Sequence, residues 1–169
     1  GQKQPAIDAY RRAVAILEET RQESRAQYGA AQARFRRLVA PVYLDLADAL
    51  LKQARELEQE TSDSTAQLVE ARSTVEKLKA AELRDYFRNE CVADLEAKTA
   101  QLDSVGADVA VVYPIALPDR LELLVRLPSG LRRYSAPVPA SVLREQTSQF
   151  RSALQDRLTR GYVRPARQL

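Results

Sequence analysis

Few residues in this chain of 169 could carry chemistry, and the first question is what they could do. There is no histidine and one cysteine, Cys91. A thiol acts as a nucleophile at neutral pH only where a base or a positive neighbour favours the thiolate. The run Arg88-Asn-Glu-Cys91 offers no identifiable base. Free cysteine is among the most buried residue types, so Cys91 reads as a small packed side chain. Without histidine, and with one thiol, a zinc site would have to be carboxylate-rich, which does not suit a structural site. Glu56, Glu58 and Glu60 cluster, as do Asp45 and Asp48, but neither group has a base or a ligand spacing beside it. They read as solvated faces. No phosphate loop, GxGxxG, HExxH or CxxC occurs. The sequence therefore excludes a histidine-dependent or Cys-His enzyme built from this chain alone, and no catalytic, cofactor-binding or metal-binding residue is expected.

Charge is unevenly spread. Residues 1–105 hold 16 basic and 18 acidic side chains, whereas residues 106–169 hold 10 and 5. Of the 26 basic residues, 21 are Arg, the residue that forks onto carboxylates and phosphates. Arg132-Arg133-Tyr134 sets basic and aromatic side chains together on an expected strand, a pattern also met in nucleic-acid binders. Cross-strand contacts are the simpler use for it, and no nucleic-acid partner is expected. No run approaches the roughly 18 apolar residues of a membrane span, so no membrane partner is expected either. A lone cysteine gives no disulfide framework, which points to a reducing, cytoplasmic setting.

The elements that must position these residues are mostly helical. Ile7, Tyr10, Val14 and Leu17 draw one stripe down a helix, widened by Ala6, Ala9, Ala13 and Ile16. A second apolar register runs from Phe35 through Val42, Tyr43, Leu46 and Leu50 to Leu51. Pro41 interrupts it and predicts either a kink or a new helix starting there. The polar run 58–64 reads as a connector with an N-cap at Ser62, Asp63 or Ser64. Leu68, Ala71, Val75 and Leu78 mark a third helix, with Leu83, Tyr86 and Phe87 continuing its face, and a short helix is expected near 95–102.

The texture changes after Gly106. Residues 107–117 are rich in β-branched residues and read as a buried strand. Leu121, Leu123, Val125 and Leu127 alternate with Glu122 and Arg126, as in a half-buried strand with its polar residues outward. With turns at Pro118-Asp119 and Pro128-Ser-Gly130, the prediction is an antiparallel meander of strands near 109–117, 120–127 and 131–136. Helix resumes from 138 to about 160, its apolar side carrying Val142, Leu143, Phe150, Leu154 and Leu158, with Gly161 as its C-cap. The tail 162–169, with Pro165 at a helix-start position, reads as the beginning of a further helix, so the strands are expected to belong to a β-layer that continues downstream.

Ala6-x-x-x-Tyr10-x-x-Ala13 resembles the second helix of a tetratricopeptide (TPR) repeat, where small-aromatic-small spacing lets paired helices pack closely. Residues 35–51 look like the helical stretch joining such repeats to a CHAT domain, a caspase-like module. The likeness sharpens over 68–91 and is strongest at Val112-Tyr-Pro-Ile-Ala-Leu-Pro-Asp-Arg-Leu-Glu-Leu-Leu124, similar to the first strands of bacterial CHAT proteins. This resemblance implies a caspase-hemoglobinase type of fold and a Cys-His dyad for peptide-bond cleavage. The missing histidine puts that dyad outside this chain, and Cys91 falls in the helical lead-in.

The reading is thus an α+β chain: long antiparallel helices resembling a TPR end, then a small β-meander and a helix forming an incomplete caspase-hemoglobinase-like layer. Its parts are a TPR-like end at 1–60, a helical linker at 61–106 and the opening of a caspase-like domain at 107–169. Ala6, Tyr10 and Ala13 are the expected packing residues. A protein partner is expected on the helices, and the rest of the caspase-like domain on the sheet edge. The alternatives are a free-standing helical adaptor and, from the Arg-rich end, a nucleic-acid binder.

Overall fold

The computed structural model describes residues 3–23, 38–86 and 109–155. The chain is α+β, with helices first, then a three-stranded antiparallel meander and a further helix. It divides into two compact units, one made of residues 1–111 and 126–132, the other of residues 112–125 and 133–169.

In the first unit α1 (Lys3–Glu23) buries Ile7 and Val14, with Tyr10 and Leu17 half-buried between and beyond them. α2 (Ala40–Gln59) takes Pro41 in its first turn, where the missing N–H costs no helical hydrogen bond. Ala40, Tyr43, Leu46, Ala47, Leu50, Leu51 and Ala54 recur every three or four residues and are all buried, giving α2 a stripe wide enough to serve two neighbours. α3 (Thr65–Tyr86) returns Leu68, Ala71, Val75, Leu78 and Ala81 to it. The helices α1 and α2 are antiparallel, since Lys3 pairs with Glu56 near one end and the Tyr43 hydroxyl donates to Glu18 near the other. At 2.6 Å each, two Arg11 nitrogens fork onto the Glu70 carboxylate, tying α1 to α3. Hydrogen bonding to Glu70 drives the guanidinium further above its ordinary pKa.

The connector between α2 and α3 is a Schellman turn. Ser62 N–H donates to Leu57 C=O at 2.8 Å and Thr61 N–H to Glu58 C=O at 3.2 Å. That geometry places Thr61 at φ 55°, a left-handed position where glycine is usual and a β-branched residue is strained. Asp63 then receives both the Thr65 N–H, at 2.9 Å, and the Thr65 hydroxyl, at 2.6 Å. These bonds hold its carboxyl below the ordinary range.

The sheet order is β1 (Val111–Ala116), β2 (Leu121–Leu127), β3 (Gly130–Ala136). Leu117 N–H donates to Arg120 C=O at 2.8 Å, so Pro118-Asp119 forms a two-residue turn and Ile115 lies opposite Glu122. Ala140 N–H donates to Leu117 C=O at 3.0 Å, which fixes the start of α4 (Ala140–Gln155) beside that turn. Two expectations are corrected here. β1 is not buried throughout: Tyr113, Ile115 and Leu117 are buried, but Val112 and Pro114 are exposed, because only one face of the sheet is covered. In β2 the polar alternation is reversed. Glu122 and Leu124 are buried while Leu121, Leu123 and Val125 are half-buried, since pairing with Ile115 turns Glu122 inward. Cys91, the expected short helix at 95–102, Leu158, Gly161 and the tail 162–169 lie outside the described residues.

Candidate interaction surface

Glu122 is the chemically most unusual residue described. It is 1% exposed on the central strand, on the same face as Tyr113, Ile115, Leu117 and Leu124. A carboxylate in such surroundings needs charge and hydrogen bonds to replace its water. Arg120 Nε donates to its Oε1 at 2.6 Å and an Arg133 guanidinium nitrogen to its Oε2 at 3.2 Å, from β3. Arg120 also reaches the exposed Asp119 at 3.0 Å. Each carboxylate oxygen is engaged, so Glu122 is a structural clamp for the meander and not a free acid or base. The Arg-rich stretch spends two guanidinium groups inside the protein instead of presenting them to phosphate.

The opposite face of the sheet reverses the usual order of polar and apolar. By strand alternation it carries Val112 and Pro114 from β1, Leu121, Leu123 and Val125 from β2, and Arg132 and Tyr134 from β3. Val112 is 53% exposed and Tyr134 52%. α4 has no buried residue: Leu143, Phe150 and Ala153 are half-buried, and Val142 and Leu154 are exposed. The apolar side expected for this helix from the sequence is therefore present but largely uncovered.

On α1, Ala6 is exposed and Tyr10 and Ala13 are half-buried, while Ile7 and Val14 fill the fully buried positions. Ile16, on the stripe of Ala6, Ala9 and Ala13, is exposed. Sequence reasoning missed two structural contacts. The Tyr43 hydroxyl finds Glu18, and Glu122 finds its two arginines; the acidic and basic partners were visible, but not that the fold would bury them. The acidic clusters behave as surface features: Asp48 pairs with Lys52 at 2.7 Å and Glu56 with Lys3 at 2.5 Å. Among the described residues no three His, Cys, Asp or Glu side chains gather as a metal site, and no helix is long and apolar enough to cross a membrane.

No known protein family, curated protein or solved structure matches this chain.

Proposed function

We propose that the chain is the non-catalytic portion of a bacterial, cytoplasmic TPR-CHAT protein: a TPR-like helical end that binds protein, followed by the opening strands and helix of a caspase-like cysteine protease. The catalytic half lies in a further part of the same polypeptide and packs against the meander. The observation carrying this reading is the uncovered apolar surface of the β-layer, on the face of Val112, Leu123 and Tyr134 and along α4. A layer that has three strands among the described residues, with an open apolar face, calls for more structure beside it. The order of elements, helices and then meander and helix, fits the resemblance carried by residues 68–91 and 112–124.

The coding sequence downstream of codon 169 tests it. Expected are apolar strands with a His-Gly and a later Cys. In the complete protein, replacing that later Cys abolishes peptide cleavage, whereas Cys91→Ser leaves it within about threefold, because no activating neighbour accompanies Cys91. A stop codon there, with a stable monomer, gives the adaptor reading its place. Loss of cleavage in a folded Cys91→Ser protein would show the nucleophile to be misplaced.

A further inference from the structure

The three helices of the first unit are not held alike. Of residues 3–20 on α1, only Ile7 and Val14 are buried, and Ala6, Ala9, Ala15 and Ile16 are exposed. α2 buries Ala40, Tyr43, Leu46, Ala47, Leu50, Leu51 and Ala54, and α3 buries Leu68, Ala71, Val75, Leu78 and Ala81. Apolar burial stabilises in proportion to its area, so α2 and α3 hold one another more firmly than either holds α1.

Polar ties supply much of the attachment of α1. Two Arg11 nitrogens fork onto Glu70 of α3 at 2.6 Å, and Lys3 pairs with Glu56 of α2 at 2.5 Å. Gln53 Nε2 donates to Gln4 Oε1 at 3.3 Å, and the Tyr43 hydroxyl donates to Glu18. Both ion pairs stand within reach of solvent: the Arg11 and Glu70 side chains are 39% and 35% exposed, those of Lys3 and Glu56 74% and 46%. Dissolved salt weakens such pairs, since the screening length falls from about 10 Å at 0.1 M to about 3 Å at 1 M. The α2–α3 contact is mainly aliphatic and is far less sensitive to it.

We propose that α1 is a charge-held latch on the helical unit: it undocks as a whole while α2 and α3 stay paired, and ionic strength sets how often. Sub-global opening takes first the element with the least buried apolar surface. The open form uncovers the side of α2 that carries Tyr43, Gln53 and Glu56, so access to that side depends on the latch. The latch involves the helical unit alone and is independent of what covers the β-layer.

Thiol labelling of the full 169-residue chain in a Cys91→Ser background tests it. Single cysteines replace Ile7 or Val14 on α1, or Val75 on α3, all of them buried. In about 0.05 M NaCl the two α1 thiols should react at the same rate within about twofold, and at least about tenfold faster than the α3 thiol. In about 1 M NaCl the α1 rates should rise about fivefold and the α3 rate by less than about twofold. Glu70→Gln removes the charge that Arg11 grips, so it should raise the α1 rates about fivefold at low salt and abolish most of their salt response. Hydrogen exchange of the α1, α2 and α3 amides in the unsubstituted chain gives the same comparison where a cysteine disturbs the packing. Equal rates on α1 and α3 at both salt concentrations mean that the unit opens only globally, and overturn the proposal. So do unequal rates at positions 7 and 14, the mark of fraying from one end. Rates on α1 that ignore both salt and Glu70→Gln overturn it as well, because the charges then hold nothing.

Discussion

Replacing Glu122 by leucine would leave two guanidinium groups inside the sheet with their shared carboxylate gone. The side chains of Arg120 and Arg133 are only 12% and 10% exposed, so water screens little of the loss. Removing one member of a buried, hydrogen-bonded ion cluster costs about 3–5 kcal/mol, because the surviving charges lose their shared counter-charge. Arg120 keeps Asp119, but that side chain is 67% exposed, and such a pair returns at most about 0.5 kcal/mol. The expected cost of Glu122→Leu is therefore about 3 kcal/mol. The chain contains no tryptophan, so Tyr134→Trp, at an exposed position on β3, supplies a single fluorophore for urea denaturation of the sheet. In that background Glu122→Leu should move the urea midpoint down by more than about 1 M, given a slope of about 1–3 kcal/mol/M. A variant that also carries Arg120→Met and Arg133→Met should recover most of the loss, because the cluster is then replaced by apolar side chains of similar length. A single substitution costing under about 1 kcal/mol, or a triple variant no better than the single one, would refute the view that this cluster is a closed structural clamp.

Three further changes probe the helical unit. Thr61→Gly should stabilise the protein by about 1 kcal/mol by relieving the left-handed strain at φ 55°, seen as a higher melting temperature. Tyr43→Phe removes a buried hydroxyl's bond to the Glu18 carboxylate and should cost about 2 kcal/mol in chemical denaturation. Asp63 has its pKa lowered from 3.8 by Thr65, so its contribution is fully present above that value and is lost as pH falls through the lower folded-state value. Acid titration of stability should accordingly be flatter below about pH 4 in Asp63→Asn than in the parent.

Helices were legible because their signal is local and repeated. The stripe of α2, from Tyr43 to Leu51, is readable from spacing alone, and the polar run 58–64 fell where the chain turns. Prolines carried similar weight: Pro41 marked the opening of α2, and Pro118 and Pro128 marked the two turns of the meander. Less legible was which residues around the stripes would be buried. Ala6, Tyr10 and Ala13 share a helix sector with Ile7 and Val14, and a rotation of a fraction of a turn decides which set faces α2. That rotation is fixed by contacts remote in sequence, among them Arg11 with Glu70 and Tyr43 with Glu18.

The reversed polarity of β2 shows why a strand's pattern can be read correctly and its faces still exchanged. Leu121-Glu-Leu-Leu-Val-Arg-Leu127 alternates only in part, since Leu124 shares a face with Glu122 and Arg126. Both faces of β2 are therefore apolar enough to be the inner one, and hydropathy alone chooses the wrong side. What decides is the two-residue turn at Pro118-Asp119, which sets Glu122 opposite Ile115, together with an Arg at each position that can reach the buried carboxylate. A charge on a strand flanked by two opposite charges at positions 120 and 133 is thus compatible with burial, and its presence should lower the weight given to alternation. The consequence is chemical as well as topological. With Glu122 turned inward, Leu121, Leu123 and Val125 are left on the face that Val112 and Tyr134 share, so the apolar side of the alternation is the less covered one.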